Sequence, residues 1–205
     1  MGQIEGVVFD HGGVLTRGGG KGTNERVASA HMGLDSVIEV PDLTRQLKTG
    51  AIRNKDYVEA VNARFPHARH RLTMAMWDEI YADLTQDWMA YDLVSRCRAA
   101  GLRTAILSSI NPTVGEWLRK DGSYDGFEPV VLSYACGLAK PDPRIYRLVE
   151  DQMRLRPQQL LFLDDQESCC AAARDQGWAA IRVDSSAQMV ADVTAMLELP
   201  GTVRR

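Results

Sequence analysis

The residues best suited to chemistry in this chain are polar side chains that come directly after short apolar runs. An aspartate follows the run VVF, a serine pair follows AIL, and an aspartate pair follows LFL. With a lysine in GLAKPDPRIY they form the candidate set Asp10, Ser108, Ser109, Lys140, Asp164 and Asp165. Carboxylates gathered at one point repel one another unless a cation lies among them, and a hard divalent cation such as Mg²⁺ fits oxygen ligands best. The lysine and a serine hydroxyl are suited to hold an anionic group against an aspartate nucleophile.

The elements that must position these residues alternate between strands and helices. Strands are predicted at residues 4–9, 102–107, 129–133, 160–163 and 179–183. Helices are predicted at residues 91–100, 112–120, 142–152, 168–176 and 187–197. This alternation predicts an α/β fold with a Rossmann-like parallel sheet. Because ligands bind at the carboxyl ends of strands in such sheets, we expect the candidate set to converge there.

A block of different character follows the first strand. Helical patterns cover residues 24–32, 41–47, 54–65 and 73–84, with no convincing strand among them. The glycine-rich residues 18–22 before the block are predicted to form a loop. The block is therefore predicted to be an all-helical insertion in the α/β fold.

Composition and charge narrow the class of function. Hydrophobic residues make up 45% and charged residues 25% of the 205 residues, as in soluble globular proteins. The 24 basic and 27 acidic residues give a formal net charge of −3, which disfavours nucleic acid as a partner. No run approaches the roughly 18 apolar residues of a membrane helix, and the first ten residues lack a secretory pattern. The four cysteines show no CxxC pair, so we expect reduced thiols in a cytoplasmic protein; no pattern indicates an oligomeric state.

Four segments together resemble the haloacid dehalogenase (HAD) superfamily. The segments are VVFDHGGVLT, AILSS, GLAKPDPRIY and LFLDDQES, and they follow the family's order over nearly the whole chain. The resemblance implies a HAD-like α/β core formed by residues 1–16 and 88–205. It identifies residues 17–87 as a helical cap inserted after the first motif.

The resemblance also implies roles in binding and attacking a phosphoryl group. Asp10 would be the nucleophile that forms a phosphoaspartate, and Ser108 would hold the phosphoryl oxygens. Lys140 would neutralise and orient Asp10 and the phosphate. Ser109 is a further candidate substrate contact, although only one of the two serines need be functional. The implied activity is a Mg²⁺-dependent phosphatase of a small phosphorylated metabolite, such as a sugar phosphate.

A metal site is implied by the same resemblance. Asp165 would bind Mg²⁺ with Asp164 in support, and Asp10 would be a further ligand. The backbone carbonyl of Gly12 would complete this set, because a main-chain ligand can come from any residue type.

Gly12 departs from the pattern of the phosphatase members, which usually carry a second aspartate two places after the nucleophile. That aspartate protonates the leaving group and later activates water. General acid–base catalysis contributes about 10²–10⁴-fold, whereas positioning and charge neutralisation carry most of phosphoryl transfer. A chain with glycine here is thus compatible with turnover. It is expected to favour leaving groups that need little protonation, such as anomeric sugar, acyl or aryl phosphates.

His11 is the remaining candidate beside the nucleophile. Its ordinary pKa would suit a proton donor, and its position makes it a candidate substrate contact. Relatives usually carry an apolar residue there that points away from the site. This favours a packed histidine over a catalytic one.

Two alternatives stay open beside the phosphatase. A 2-haloacid dehalogenase also uses an aspartate ester and lacks the second aspartate, but it needs no metal, and the pair Asp164–Asp165 speaks against it. A catalytically weak relative that binds a phospho-ligand is the second alternative.

Overall fold

The structure, a computed structural model, describes residues 3–17, 22–79 and 84–200. Its strands are β1 (Gly6–Phe9), β2 (Thr16–Arg17), β3 (Thr85–Gln86), β4 (Arg103–Ser108), β5 (Val130–Leu132), β6 (Leu160–Asp164) and β7 (Ala179–Arg182). Its helices are α1 (Thr23–Met32), α2 (Pro41–Lys48), α3 (Asn54–Arg64), α4 (Met74–Glu79), α5 (Trp88–Ala99), α6 (Pro112–Lys120), α7 (Ser133–Cys136), α8 (Pro143–Met153), α9 (Glu167–Asp175) and α10 (Ser186–Leu197). A short 3-10 turn, Pro157–Gln159, precedes β6.

Five strands form one parallel sheet in the order β5-β4-β1-β6-β7. The central strand β1 pairs on both sides, so that Phe9 lies opposite Ile106 and Leu163. The α/β class and the parallel sheet predicted from the sequence are confirmed. Since β1, β4 and β6 run parallel and end within two residues of one another, their carboxyl ends bring Asp10, Ser108 and Asp164 to one edge of the sheet.

Alternate side chains of the strands enter separate hydrophobic clusters on the two faces of the sheet. Val7 and Phe9 pack in the cluster that contains buried residues of α5, α6 and α10. Val8 and Phe162 pack in the cluster that contains buried residues of α8 and α9. Strands buried on both faces read as continuous apolar runs, which is why VVF and LFL were recognisable in the sequence.

Helices α1–α4, with their connections, form a unit that we call the helical insert, residues 23–79. It carries its own hydrophobic cluster, in which Tyr57 and Trp77 are fully buried and their ring centroids lie 4.8 Å apart. This cluster shares no residue with the two clusters of the sheet. The insert therefore has a separate core.

The expectation that residues from about 24 to 87 contain no strand is wrong, because β3 lies at the end of this block. β2 and β3 form a two-stranded antiparallel ribbon in which Thr16 pairs with Gln86 and Arg17 with Thr85. A two-residue strand has no periodicity to detect, and its partner lies far along the chain. The ribbon brings the chain into and out of the helical insert at one place.

Asp87 secures the exit from this ribbon. Its carboxylate accepts a hydrogen bond from Arg17 Nε at 2.9 Å and caps α5 by accepting from the Met89 amide at 3.0 Å. Ser186 Oγ, at the start of α10, donates to the same carboxylate. One buried aspartate thus connects the ribbon to two helices of the core.

Several predicted bounds differ from the observed ones by a few residues. The helix predicted at 73–84 is observed as Met74–Glu79, and residues 80–83 lie outside the described residues, as does most of the predicted glycine-rich loop. The short helix α7 was not predicted. In the described parts of the chain, no helix combines the length and apolarity needed to span a bilayer.

Candidate active site

The sheet edge holds a buried lysine between two aspartates. The Nζ atom of Lys140 lies 2.9 Å from Asp10 Oδ1 and 2.6 Å from Asp164 Oδ2. Burial alone would lower the pKa of Lys140, but the carboxylates of Asp10 and Asp164 raise it above its usual range. Burial raises the pKa of Asp164 even though the ammonium group acts to lower it. Lys140 is therefore a permanent cation at the point where the sequence predicted it.

A third carboxylate joins this cluster. Asp10, Asp164 and Asp165 each present an oxygen, and these oxygens lie within 4.8 Å of one another. Lys140 offsets only one of the three charges. Asp165 Oδ1 is buried and has no hydrogen-bond partner among the described residues, as expected of an oxygen that takes a cation as its partner. The donor set fits a hard divalent cation.

The two neighbouring aspartates differ in their partners. Asp164 uses both oxygens within the protein, since Oδ2 contacts Lys140 and Oδ1 accepts from the Gln166 amide at 2.8 Å. Asp165 is half-buried, and burial, followed by the charge of Asp10, raises the pKa of its carboxyl. This difference favours Asp165 as the metal ligand and Asp164 as the residue that holds Lys140.

Gly13 is a site residue that the sequence reasoning missed. Its φ of +81° lies in the left-handed region, and a Cβ at this position would lie 2.9 Å from Asp165 Oδ2. Only glycine fits without displacing that carboxylate. The second glycine of the HGG triplet was the signal that could have found it.

The two serines at the carboxyl end of β4 have different surroundings. Ser108 is buried at the end of the strand and lines a cavity together with Asp10. Ser109 also lines this cavity, but its Oγ accepts a hydrogen bond from the backbone amide of Lys140 at 3.0 Å. The geometry therefore favours Ser108 as the ligand-binding hydroxyl and Ser109 as the residue that positions the Lys140 backbone.

His11 lies beside Asp10, but its ring packs in a buried environment. Its backbone amide donates to Asp10 Oδ1 at 2.7 Å, and its ring meets the ring of Tyr124 edge-on at a centroid distance of 5.4 Å. Burial lowers the pKa of His11 to about 4, although the charges of Asp10 and Asp121 oppose this shift. The imidazole is neutral at physiological pH, which disfavours it as a general acid.

The cavity above Asp10, which we call the site cavity, has a volume of about 90 Å³ and lies between the core and the helical insert. His11 and Gly12 line it from the core, and Glu25 and Lys48 line it from the insert. Glu25 and Lys48 were not candidates in the sequence. They reach the cavity only through the packing of the helical insert on the core, and no sequence motif marks such residues. Gly12 contributes no acidic side chain to this cavity.

A family model for haloacid dehalogenase-like hydrolases matches residues 4–177. The chain belongs to this family. As a HAD-like hydrolase, it presents Asp10, Ser108, Lys140 and Asp165 at one edge of the sheet in the order in which the family motifs occur.

Curated relatives match only part of the chain. A segment of 109 residues is 37% identical to acyl-CoA dehydrogenase family member 10 of Mus musculus, covering 52% of this chain and 10% of that protein. A segment of 97 residues is 30% identical to phosphatase MT3486 of Mycobacterium tuberculosis, covering 46% of this chain and 45% of that protein. The match spans less than half the length of either relative.

Solved structures resemble the chain over most of its length. The HAD family enzyme BT-2542 of Bacteroides thetaiotaomicron, in complex with magnesium and inorganic phosphate, aligns with a TM-score of 0.71 at 21% identity, covering 87% of this chain and 93% of that one. L-2-haloacid dehalogenase of Xanthobacter autotrophicus aligns with a TM-score of 0.60 at 20% identity, covering 98% and 85%. At such identities the likeness supports the fold.

Proposed function

We propose that this HAD-like hydrolase is a Mg²⁺-dependent phosphatase that acts on a small phosphorylated metabolite through a phosphoaspartate at Asp10. The observation that carries the proposal is the unpartnered, buried Asp165 oxygen beside Asp10 and Asp164, which suits a cation. Similarity to a phosphatase, and a structural neighbour holding magnesium and phosphate, add support. When bound, Mg²⁺ would supply positive charge to the phosphoryl oxygens. Asp10, Asp165 and the Gly12 carbonyl would hold it, with Asp164 in support.

The protein's own groups would carry the displacement. Asp10 attacks the phosphorus atom, the ester bond to the leaving oxygen breaks, and the phosphoryl group is held as an aspartyl phosphate. Lys140, whose ammonium group contacts Asp10 Oδ1, offsets the charge of the phosphoryl oxygens, while Ser108 donates a hydrogen bond to one of them. Water then cleaves the aspartyl phosphate, which releases inorganic phosphate and restores the Asp10 carboxylate.

The glycine at position 12 sets the preference among leaving groups. Without an acid there, and with His11 neutral and packed, the leaving oxygen departs with little protonation. Leaving groups of low pKa, such as aryl, acyl and anomeric sugar groups, are therefore favoured. The helical insert would act as the cap that covers the leaving group, in keeping with its place on the wall of the site cavity.

A screen of phosphomonoesters tests the proposal, with phosphate release measured with and without Mg²⁺. We expect Mg²⁺-dependent release, highest for esters with leaving groups of low pKa, and a loss of roughly 10⁴-fold or more in Asp10→Asn. The matched control is Asp175→Asn, since Asp175 is exposed at the end of α9. Mass spectrometry after rapid quenching is expected to find one phosphoryl group on the peptide that contains Asp10.

Phosphate release that survives Asp10→Asn would contradict the proposed nucleophile. A 2-haloacid dehalogenase remains the second candidate, because Gly12 and the fold are compatible with it. Halide release from 2-chloropropionate without Mg²⁺, together with no phosphate release from any ester, would favour that activity. The three clustered carboxylates favour the phosphatase, since the dehalogenase reaction needs no metal.

A further inference from the structure

A second cavity adjoins the site cavity on the side of the helical insert. This side cavity has a volume of about 650 Å³, within the range of small-molecule sites. The two cavities share lining residues, among them Glu25, Lys48 and Ser109. A ligand whose phosphoryl group lies at Asp10 thus has room for its remaining part in the side cavity, beyond Lys48.

Lys48 is the cation at the junction of the two cavities. It is half-buried at the end of α2, and no carboxylate of the described residues lies within 4.0 Å of its ammonium group. Lys140, the other lysine of the side cavity, is already engaged by Asp10 and Asp164. Lys48 is therefore available to a ligand.

The core fixes the backbone that carries Lys48. The Lys48 carbonyl accepts a hydrogen bond from Ser133 Oγ at 2.5 Å, and the same Oγ accepts from the Ile110 amide at 3.0 Å. Two residues beyond Lys48, Gly50 has a φ of +72°, and a Cβ there would lie 2.6 Å from the Tyr134 carbonyl oxygen. The end of α2 thus rests on α7, which follows β5 and is hydrogen-bonded to the loop after β4. These contacts tie the position of Lys48 to the sheet edge that holds Asp10.

A second cation lies one turn earlier on the same helix. Arg45 lines the side cavity, and side chains three residues apart on a helix have Cβ atoms roughly 5–6 Å apart. Two carboxylates, Glu25 and Glu39, line the side cavity as well. Glu25 Oε1 accepts a hydrogen bond from Thr44 Oγ1 at 2.6 Å, so one of its oxygens is engaged within the insert.

We propose that Lys48 is a specificity-determining residue that binds a second anionic group, a carboxylate or a phosphate, on the leaving group of the substrate. Arg45 assists from the adjacent turn. The substrate class is then a phosphomonoester with a second acidic group rather than a neutral polyol phosphate. This inference rests on the proposed phosphatase function, because it assumes that the phosphoryl group lies at Asp10.

The test uses matched pairs of phosphomonoesters that differ only in a carboxylate or a hydroxymethyl group. The pairs are phosphoglycolate with 2-hydroxyethyl phosphate, 3-phosphoglycerate with glycerol 3-phosphate, and 6-phosphogluconate with glucitol 6-phosphate. Calorimetry measures their binding to Asp10→Asn in the presence of Mg²⁺, since this variant is expected not to turn the ligands over. For at least one pair we expect the acid to bind roughly tenfold or more tightly than the alcohol.

The variants Lys48→Met and Lys48→Gln, made in the Asp10→Asn background, are expected to lower this ratio of affinities by roughly tenfold. Arg45→Met is expected to lower it less. The matched control is Lys55→Met, because Lys55 is exposed on α3 and faces Glu59 at 3.8 Å; its ratio should not change. Circular dichroism verifies that each variant is folded.

Two outcomes would overturn the inference. Either no pair shows a preference for the acid, or the preference persists in both Lys48 variants. Failure of the phosphatase proposal is recognised separately, as an absence of Asp10-dependent phosphate release by the unmodified protein from any ester of the screen.

Discussion

Charged side chains are arranged in opposite ways at the sheet edge and in the helical insert. At the edge, Lys140 is fully buried and lies between two buried aspartates. In the insert, ion pairs such as Arg64–Asp42 lie at the surface, with 43% and 53% of the two side chains exposed. Lys48, at the boundary between the two regions, has no such carboxylate partner among the described residues.

This difference follows from the free-energy cost of burying charged side chains. A buried charge has to be matched by others in fixed positions, because its desolvation is costly unless it is paired. Such a cluster holds reacting groups in one geometry. Exposed charges cost little free energy, and replacing them changes stability little, since water and salt screen them. The sheet edge is accordingly suited to hold the proposed reacting groups in place. The insert is suited to a substrate preference that can change without altering those groups.

Lys140→Met is the strongest challenge to this contrast. Removing the ammonium leaves buried carboxylates without their counter-charge, so we expect a loss of about 3–5 kcal/mol in the free energy of unfolding. Urea denaturation in EDTA measures it. Adding Asp164→Asn to Lys140→Met should restore part of the loss, because one of the uncompensated charges is then removed.

Arg64→Met is the matched control for Lys140→Met, since it also removes one cation from an ion pair, but at the surface. Its denaturation midpoint is expected to stay unchanged. Equal losses in the two variants would show that burial does not separate the two regions energetically.

Trp77→Ala tests whether the insert has an independent core. Trp77 is fully buried against Tyr57, and its removal is expected to cost about 3 kcal/mol, because a cavity replaces a large side chain. Hydrogen exchange should show faster exchange in α3 and unchanged protection in β1 and β6. The control is Trp88→Ala, because Trp88 is 69% exposed. Faster exchange in β1 as well would contradict separate cores.

The pH dependence of stability that His11 causes is a smaller expected effect at the sheet edge. Because burial lowers its pKa to about 4 from 6.5, the folded state disfavours the protonated imidazole. Its contribution to stability is fully present above pH 6.5 and is lost as the pH falls towards 4. Between pH 7 and pH 5, the unfolding free energy of the unmodified protein should fall by about 2 kcal/mol relative to that of His11→Leu.

Chemical denaturation at several pH values, in EDTA, measures this difference. The matched control is His70→Leu, since His70 is exposed in the insert; its stability should run parallel to that of the unmodified protein. If the stability of His11→Leu and that of the unmodified protein changed with pH in the same way, His11 would not be held neutral by its surroundings.

Much of the sheet edge could be predicted because its signals are local. Asp10 and Asp164 follow apolar runs that are buried on both faces, and such runs stand out against the polar loops after them. Lys140 lies in a segment with a distinctive motif. The helical insert was recognisable by its long stretch of helical periodicity, whereas the ribbon of β2 and β3 was not, because pairs of two-residue strands have no pattern of their own.

The contacts that distinguish the members of each polar pair required the tertiary structure. By residue type and local pattern, Ser108 and Ser109 are alike, as are Asp164 and Asp165, and only the family resemblance implied different roles for them. In the folded structure, Ser109 Oγ accepts a hydrogen bond from the Lys140 amide, and the Asp164 carboxylate accepts one from the Lys140 ammonium group. The side chains of neighbouring residues at a strand end point in different directions. Only the contacts that each side chain makes distinguish the two residues.

The sequence by itself determined the class of fold, the strand ends that carry the chemistry, and the place of the insertion, since burial periodicity and family motifs are properties of short segments. Tertiary structure alone decided that Lys48, at the end of a helix with no motif, lines the same cavity as Asp10. The physical reason is that its position depends on contacts that the Lys48 carbonyl and Gly50 make with Ser133 and Tyr134 of α7, far away in the chain. Contacts between distant segments follow from how whole elements pack, and no short pattern records them.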